Sequence, residues 1–337
     1  MRPALSVIHE VTEEKLKFAK QLGVNDIVVR TPKWQGNGYW EFMDLLRLRE
    51  KVESAGLRLV AIENMPRSYY DKVMLGLLGR DEQIENWCKT LKNMGKAGIS
   101  MLGYDWMMAG VWRTSQDALG RGGAHVTNFD YDLVKDAPLG ARGPQYRDAL
   151  PPRELSAKEM WDNYTYFLKA VIPVAEEAKV KMALHPDDPP VPYLAHTTRI
   201  FTSVDAFKRM IEIVPSDYNG LEFCQGCFAE MGADIIETIR YFGKRKKIFY
   251  VHFRDVKGSV PKFSECFIDE GDTDMLKAMQ AYKEVGFDGP MIVDHTPLLK
   301  GDTQWGDLPP LGGRIGRAFA IGYMKALIQA VETSYNP

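Results

Sequence analysis

Four side chains of types that commonly bind metals lie at equivalent positions in four successive segments of the chain. Each lies at or just before the end of a short run rich in aliphatic and aromatic residues; the four are His185, Cys224, His252 and Asp294. Imidazole, thiolate and carboxylate groups are common protein ligands of first-row divalent metals. If the four runs are neighbouring strands of one sheet, their ends converge. The sequence therefore predicts a mononuclear metal site.

The ligand set leaves the identity of the metal open. A thiolate favours softer ions such as Zn2+ or Fe2+, whereas a carboxylate and open coordination positions tolerate Mn2+. The alternative to a metal site is that each of the four residues packs in the core, as buried cysteines and single histidines often do. Their equivalent positions in four segments favour the metal site.

A second cysteine, Cys227 in the run FCQGC, is assigned to the core. A redox Cys-x-x-Cys pair opens a helix beside a thioredoxin-like βαβ unit, and a structural zinc motif needs a second cysteine pair. The chain has four cysteines in 337 residues and no second pair with this spacing. We therefore expect Cys227 to pack as a small apolar residue.

Polar residues near the same run ends indicate proton transfer and substrate binding. His295 directly follows Asp294, and the ordinary pKa of histidine suits a general acid or base. Arg254 and Arg113 are candidates to bind a substrate carboxylate, because a guanidinium binds a carboxylate through two parallel hydrogen bonds.

Further pocket candidates follow the predicted strands. Asp187 and Asp188, in the run HPDDPP, could orient His185 or contact substrate hydroxyls. Three residues near the ends of the second and third strand-like runs are candidates on the other side of the pocket: Arg30, Glu63 and Asn64.

Eight strand-like runs alternate with amphipathic segments along the chain. Eight βα units are the count of a (β/α)8 TIM barrel, and barrel enzymes build their sites at the C-terminal face. A doubly wound sheet would favour a G-x-G-x-x-G motif after the first strand, and this sequence has none there. The predicted fold is an α/β TIM barrel with extended loops on the C-terminal face. Strands are predicted at 4–9, 26–30, 57–64, 101–106, 181–186, 220–224, 248–255 and 290–295, and helices at 12–23, 42–56, 81–98, 156–178, 203–214, 231–243, 273–285 and 314–333.

Length and composition fit one barrel and exclude several function classes. A TIM barrel of about 250 residues accounts for most of the chain, so we expect a single domain over 1–337 with a long loop insertion at about 107–154. The net charge of −2 provides no basic stripe for nucleic acid. No run is long and apolar enough to span a membrane, and the few cysteines favour a reducing compartment. We expect a cytoplasmic protein with neither nucleic acid nor membrane as a partner.

The motifs around these residues resemble those of the mannonate dehydratases, metal-dependent members of the xylose-isomerase-like barrels. The similarity extends from about residue 93 to 323, and its most specific part is ALHPDDPP together with the later cysteine, histidine and Asp-His pair. The matching motifs are NMGKAGI (93–99), YDW (104–106), WRTS (112–115), ALHPDDPP (183–190), GLEFCQG (220–226), YVHFRDVKG (250–258), DEGDTDM (269–275), VDH (293–295) and GRAFAIGY (316–323).

The resemblance implies a metal-dependent sugar-acid lyase. The family reaction removes water from D-mannonate to give 2-keto-3-deoxy-D-gluconate, so the implied partner is a small sugar acid. By resemblance, the four ligand candidates hold a divalent metal, most often Mn2+ in this family, with Fe2+, Co2+ or Zn2+ as alternatives. His295 takes part in proton transfer. A homo-oligomer is compatible with the extended loops.

One position departs from the family pattern. The family carries a Gly-Tyr-Gly turn before the last helix, and its tyrosine acts as an acid or base. Here the stretch reads PPLGGRIGRAFA, with Gly312 in the place of the tyrosine. Tyr104, Tyr193 or a metal-bound water could replace the tyrosine, and Tyr104 is also a substrate-binding candidate. The departure raises two further hypotheses: a sugar or sugar-acid isomerase or epimerase on the same barrel, and a sugar-acid binder without activity.

Overall fold

The strands of the chain form a closed parallel barrel with helices packed around it. The computed structural model describes residues 1–32, 34, 36, 38–136, 154–302 and 313–333. The helices and strands of this part are, in chain order, β1 (Arg2–Ile8), α1 (Glu13–Gln21), β2 (Asp26–Arg30), α2 (Phe42–Ser54), β3 (Arg58–Glu63), α3 (Asp71–Leu75), α4 (Arg80–Lys96), β4 (Met101–Tyr104), β5 (Ser115–Leu119), β6 (His125–Asp130), α5 (Ala157–Ala178), β7 (Lys181–Leu184), β8 (Tyr193–Leu194), β9 (Thr197–Thr198), α6 (Val204–Ile213), β10 (Asn219–Cys224), α7 (Gln225–Glu230), α8 (Ile235–Lys244), β11 (Ile248–His252), β12 (Val256–Ser259), β13 (Lys262–Glu265), α9 (Met275–Glu284), β14 (Pro290–Ile292) and α10 (Arg314–Thr333).

Eight strands close the barrel in the order β1-β14-β11-β10-β7-β4-β3-β2, and β2 pairs with β1 to complete the ring. The pairs are parallel, and parallel neighbours need a crossover connection. Each barrel strand is followed by at least one helix before the next barrel strand begins. The prediction of a TIM barrel is confirmed.

Several helices begin where the sequence supplies a side-chain cap. Ser156 precedes α5, and its hydroxyl accepts a hydrogen bond from the backbone N–H of Glu159 at 3.2 Å. The Glu159 carboxylate accepts one in return from the Ser156 N–H at 2.9 Å. Asp234 and Asp274 cap α8 and α9 through one bond each. These bonds satisfy N–H groups that have no partner within the first helical turn.

One predicted helix is displaced in the structure. The sequence predicts a helix over 231–243, whereas the short α7 starts directly after Cys224 and α8 starts at Ile235. Gly232 lies between them with φ of 71°, a left-handed conformation that ends a helix and that glycine adopts without strain. Because α7 starts directly after β10, Cys224 lies at the junction between a barrel strand and a helix.

The barrel interior has two layers of side chains. The lower layer, nearer the amino ends of the strands, is a buried apolar cluster of Ala4, Val28, Ala61, Met101, Ala183, Phe249, Tyr250 and Ile292. Side chains two residues apart on a strand point to the same face. The upper layer therefore contains residues that lie two positions further along these strands, among them Arg30, Glu63, Gly103, His185, His252 and Asp294.

A second sheet lies at the carboxyl end of the barrel. Its strand order is β12-β13-β6-β5, with antiparallel pairing, and we call it the accessory sheet. The sequence predicts a long loop over about 107–154, but the structure has β5 and β6 within this segment. The residues of β5 are exposed or half-buried and lack apolar alternation, so periodicity does not reveal this strand. Residues 137–153 of the segment lie outside the described residues.

Among the described helices, none combines the length and the hydropathy that a membrane crossing requires.

Candidate metal centre

The ends of β7, β10, β11 and β14 bring the four predicted ligands together. Cys224 and His252 are the last residues of β10 and β11 and pair in register. His185 follows β7 directly, and Asp294 comes two residues after β14. Ligand atoms of Cys224, His252 and Asp294 all lie within 4.8 Å of one another, and a nitrogen of His185 lies within 4.8 Å of the Cys224 sulfur.

The ring of His252 presents a nitrogen lone pair to this centre. Its Nε2 lies 2.7 Å from Glu222 Oε1, so Nε2–H donates to that carboxylate. The other nitrogen, Nδ1, forms no hydrogen bond and lies 3.3 Å from Asp294 Oδ2. Metal-binding histidines commonly donate their second ring N–H to an oxygen in this way. The tautomer set by Glu222 leaves Nδ1 available as a ligand.

His185 is likewise oriented by a hydrogen bond on one ring nitrogen. Its Nδ1 lies 2.7 Å from the carbonyl oxygen of Pro186, which can only accept, so Nδ1 carries the proton. Nε2 is then the nitrogen that a metal can bind. The rings of His185 and His252 have centroids 5.2 Å apart. Both imidazoles are therefore fixed by a hydrogen bond on one nitrogen and offer the other.

Negative groups around His252 stabilise positive charge at the centre. Burial alone would lower the pKa of His252, but the charges of Asp294, Glu222 and Glu63 raise it well above its ordinary value. Burial likewise opposes ionisation of Asp294, yet His295 and His252 hold its pKa well below the usual range. Because a metal cation competes with protons for the same lone pairs, this field also favours a bound cation.

Neighbouring charges also shift the pKa values of His185 and Cys224, on the thiol side of the centre. Burial works against a charged His185, but Cys224 and Glu222 raise its pKa to about 10. Although burial disfavours a thiolate, a hydrogen bond from Cys227 and the charge of Arg254 keep the pKa of Cys224 well below its usual value. A thiolate is the form that binds metal. The described residues therefore fit a divalent cation held by two imidazoles, a thiolate and a carboxylate.

Asp294 is held by two arginines. Arg30 Nη1 donates to Asp294 Oδ1 at 2.6 Å, and Arg254 Nε donates to Oδ2 at 3.1 Å. The backbone of Asp294 has φ of 46°, a left-handed conformation that is uncommon outside glycine and is tolerated by aspartate. Arg30 also pairs with Glu63. The pocket candidates Arg30 and Glu63 thus lie at the centre, and the Asn64 amide lies 3.5 Å from Glu63 Oε1.

Arg254 and Arg113 bind carboxylates of the protein itself. Besides Asp294, Arg254 contacts Glu230 Oε1 at 2.9 Å and Asp188 Oδ2 at 3.2 Å. Arg113 forms a two-pronged pair with Asp188, of which the Nη2 to Oδ2 bond is 3.0 Å long. The structure therefore brings Arg113, Asp188 and Arg254 together beside the metal ligands. Their charged groups are paired with one another.

His295 lies between the barrel and the accessory sheet. Its Nδ1 is 2.5 Å from Glu265 Oε1, and its Nε2 is 3.7 Å from Asp294 Oδ2. Burial would raise the pKa of Glu265, but the charges of His295 and Arg113 lower it far below its ordinary value. His295 is therefore placed next to Asp294, one of the four candidate ligands.

Two substrate-binding candidates point elsewhere. Tyr104 lies on the outer face of β4, where its hydroxyl hydrogen-bonds the Tyr164 hydroxyl at 2.9 Å in the layer between barrel and helices. Asp187 accepts from the Phe201 N–H at 2.8 Å and contacts Arg199 at 3.5 Å. Burial raises the pKa of Asp187 to about 6. The structure therefore brings neither the Tyr104 hydroxyl nor the Asp187 carboxylate to the cluster of candidate ligands.

Two further residues concern the catalytic tyrosine of the family, namely Tyr193 and Gly312. The Tyr193 hydroxyl bonds Glu154 at an exposed site near the hairpin of β8 and β9. Gly312 lies outside the described residues.

Cys227 packs in the core, as expected, but closer to the metal ligands than the sequence indicated. It is fully buried, and its sulfur lies 3.3 Å from Arg254 Nη2. Its sulfur also lies within 4.8 Å of the ligand atoms of His185 and Cys224. Cys227 is thus a neighbour of the metal centre in addition to a core residue.

Sequence reasoning missed two carboxylates that orient the histidines. Glu222 precedes Cys224 by two residues on β10, so strand alternation alone could have placed it on the inner face. Gly103 on β4 provides the space, because a Cβ there would lie 2.5 Å from Glu222 Oε2. Glu265 comes from the accessory sheet. No local pattern relates it to His295.

The chain is similar to known proteins over nearly its whole length. It matches the family model described as D-mannonate dehydratase (UxuA) over residues 9–336. A mannonate dehydratase of Thermotoga maritima is 33% identical over 320 residues, which cover 87% of each chain. Mannonate dehydratase 2 of Halalkalibacterium halodurans is 30% identical over 339 residues, covering 95% of this chain and 96% of the relative.

Solved structures are also similar to this chain. The crystal structure of mannonate dehydratase from Streptococcus suis serotype 2 superposes with a TM-score of 0.87 at 28% identity, covering 99% of this chain and 94% of that one. An L-ribulose 3-epimerase structure shares the fold, with a TM-score of 0.61 at 14% identity, covering 99% of this chain and 96% of that one. The family match favours the lyase over the isomerase or epimerase. The chain belongs to the mannonate dehydratase family of metal-dependent hydro-lyases.

Proposed function

We propose that this protein removes water from D-mannonate to give 2-keto-3-deoxy-D-gluconate, with a divalent metal held by His185, Cys224, His252 and Asp294. The observation that carries the proposal is the orientation of the two imidazoles. Each has one N–H bound by an oxygen of the protein, and each has a ring nitrogen within 4.8 Å of the Cys224 sulfur; His252 Nδ1 also lies 3.3 Å from Asp294 Oδ2. This arrangement and the family of the chain support the same chemistry.

The reaction breaks the C2–H bond beside a carboxylate. The electron pair forms the C2–C3 double bond, the C3 hydroxyl takes up a proton and leaves as water, and the enol product becomes the ketone. A divalent metal at this centre would stabilise the negative charge that develops next to the carboxylate. The protein must supply groups that move protons and fix the substrate.

His295 is the proposed catalytic proton carrier, acting through Nε2. This nitrogen faces Asp294, while Nδ1 is bound by Glu265. Arg254 acts through Asp294, because its Nε–H donates to the carboxylate and fixes the orientation of that ligand. Arg113 and Asp188 are proposed to line the substrate side next to His295. Tyr104 and Asp187 have no part in this scheme because their polar groups are bound elsewhere.

Manganese is the proposed metal. A site with one carboxylate, two imidazoles and open positions accepts Mn2+, and the thiolate also admits Fe2+, Co2+ or Zn2+. Removal of all metal by a chelator, followed by addition of each ion separately, ranks them by recovered kcat. We expect Mn2+ to restore the highest activity. Higher activity with Zn2+ at equal occupancy would contradict this choice.

The direct test is turnover of D-mannonate by the metal-loaded protein. We expect formation of a 2-keto-3-deoxy acid in proportion to metal content. Absence of product at full metal occupancy would overturn the proposed activity. Exchange of substrate hydrogen with solvent deuterium without loss of water would instead favour an epimerase or isomerase.

We also propose a single domain over 1–337, a cytoplasmic location and a homo-oligomeric state. The four cysteines are free thiols, which supports a reducing compartment. Light scattering on the metal-loaded protein measures the oligomeric state.

A further inference from the structure

We propose that Glu265 is a positioning residue for His295, which makes the accessory sheet part of the catalytic machinery. This inference rests on the proposed function. Glu265 is the last residue of β13 and pairs with Val256 on β12, so the accessory sheet and not the barrel supplies it. It reaches across to the residue that follows the metal ligand Asp294.

The contact fixes which nitrogen of His295 faces the substrate. A carboxylate without a proton can only accept, so the 2.5 Å contact requires that His295 Nδ1 carries hydrogen. Nε2 is then the nitrogen on the side of the metal ligands, 3.7 Å from Asp294 Oδ2. Rotation of the ring by a half turn would break the bond to Glu265. The proton-transfer atom is therefore selected by the accessory sheet.

Glu265 is itself immobilised. Arg113 donates to Glu265 Oε1 from Nε at 3.2 Å, and its Nη1 donates to the carbonyl of Trp112 at 2.9 Å. Arg113 Nε also contacts the hydroxyl of Thr127 on β6 at 3.2 Å. Glu265 and His295 are each less than one-tenth exposed. A buried, multiply bound carboxylate of this kind holds its partner in one orientation.

A second metal does not explain this cluster. Asp188, Glu265 and His295 have ligand atoms within 4.8 Å of one another. However, Arg113 binds both carboxylates, and Arg254 lies 3.2 Å from Asp188. The guanidinium groups already supply the positive charge. The arrangement is that of an oriented histidine.

The first test observes the ring nitrogens directly and does not depend on turnover. The protein is labelled with 15N-histidine and loaded with Zn2+, since Mn2+ would broaden the signals. We expect His295, assigned by its absence in His295→Ala, to carry a proton on Nδ1 with a strongly downfield resonance. Glu265→Gln should move this resonance upfield. A wild type with the His295 proton on Nε2 alone, or a resonance unchanged in Glu265→Gln, would overturn the proposal.

The second test is a double-mutant cycle on kcat with D-mannonate. General acid–base catalysis contributes about 10²- to 10⁴-fold, so His295→Ala should lose that much. Glu265→Gln should lower kcat about 10- to 100-fold and change KM less, and Glu265→Asp should recover part of the loss. In the His295→Ala background, Glu265→Gln should change kcat less than about twofold. Equal losses in both backgrounds would make Glu265 merely structural.

Asp130→Asn is the matched control. It removes a carboxylate from β6 of the same sheet, where Asp130 pairs with Lys262 at 2.8 Å. We expect neither the His295 resonance nor kcat to change. Thermal unfolding of each variant identifies any that fail to fold, in which case Glu265→Asp replaces Glu265→Gln in both tests. A wild type inactive on D-mannonate would overturn the proposed function, and the nitrogen resonance would still decide the role of Glu265.

Discussion

The two layers of the barrel interior differ in chemistry although they belong to the same strands. In the lower layer, Ala61 and Ala183 are buried in an apolar cluster. Two residues further along, Glu63 and His185 belong to the polar centre. A strand rises about 3.3 Å per residue, so about 7 Å separates packed core from reactive groups. One strand can therefore supply both because alternation keeps the two positions on the same face.

The difference shows how buried charge is tolerated at one end of the barrel. An unpaired buried charge is costly, but here each charged group has partners, as with Arg30 between Glu63 and Asp294. The lower layer consists of buried apolar and aromatic side chains, and its one hydroxyl, that of Tyr250, donates to Glu63 Oε2 at 3.0 Å. We therefore expect the lower layer to respond to changes of volume, and the upper layer to changes of charge and ligand type.

Loss of a ligand in the upper layer should have the largest effect. Cys224→Ser replaces a thiolate by a weak ligand, and we expect metal content to fall and kcat/KM to drop by more than about 100-fold, beyond the cost typical of residues that only orient ligands. Elemental analysis and D-mannonate turnover measure both. Cys227→Ser is the control and should retain metal. If Cys227→Ser loses the metal and Cys224→Ser keeps it, the ligand assignment is wrong.

Removing a charge behind a ligand should have a smaller effect. Glu222→Gln weakens the acceptor for His252 Nε2–H, and we expect metal affinity to fall about 10- to 100-fold. Competition with a chelator gives the affinity, and thermal unfolding gives the stability. Unchanged affinity would show that Glu222 does not act on the metal.

A change of volume in the lower layer should affect stability alone. Ala183 is completely buried, and Ala183→Leu adds three carbons to a packed cluster, which we expect to cost about 1–3 kcal/mol in the free energy of unfolding. Denaturant unfolding measures it. The folded fraction should still bind one metal. Loss of metal with full stability would contradict the separation of the two layers.

The smallest effect is expected on the outer face of the barrel. Tyr104→Phe removes the hydrogen bond to Tyr164, which should cost about 1 kcal/mol of stability. Its kcat and KM for the sugar acid should equal those of the wild type. A raised KM would show that Tyr104 binds substrate, as predicted from the sequence, and would contradict its assignment to the outer face.

The sequence allowed the barrel and the convergence of the four candidate ligands to be predicted because both depend on local patterns. Alternating apolar runs identify strands, and the carboxyl ends of parallel strands must converge. The same reasoning placed Tyr104 in the pocket because it considered the end of the strand and not the face. Gly103 is the inward residue of β4, so its neighbour Tyr104 faces the helices.

Other parts of the site depend on contacts between distant segments. Glu265 reaches His295 from β13, and Arg113 reaches Asp188 from the segment before β5. Strand β5 is mostly exposed and has no alternation to reveal it. The pairing of these residues follows from the way the accessory sheet packs on the barrel, and no spacing in the chain encodes it.

The central claim is that the metal binds to the upper layer at the ends of β7, β10, β11 and β14. Anomalous scattering from a crystal of the Mn2+-loaded protein tests it most directly. We predict one manganese peak, in contact with His185, Cys224, His252 and Asp294. A peak bound instead by Asp188, Glu265 and His295, with none at the four ligands, would contradict the account.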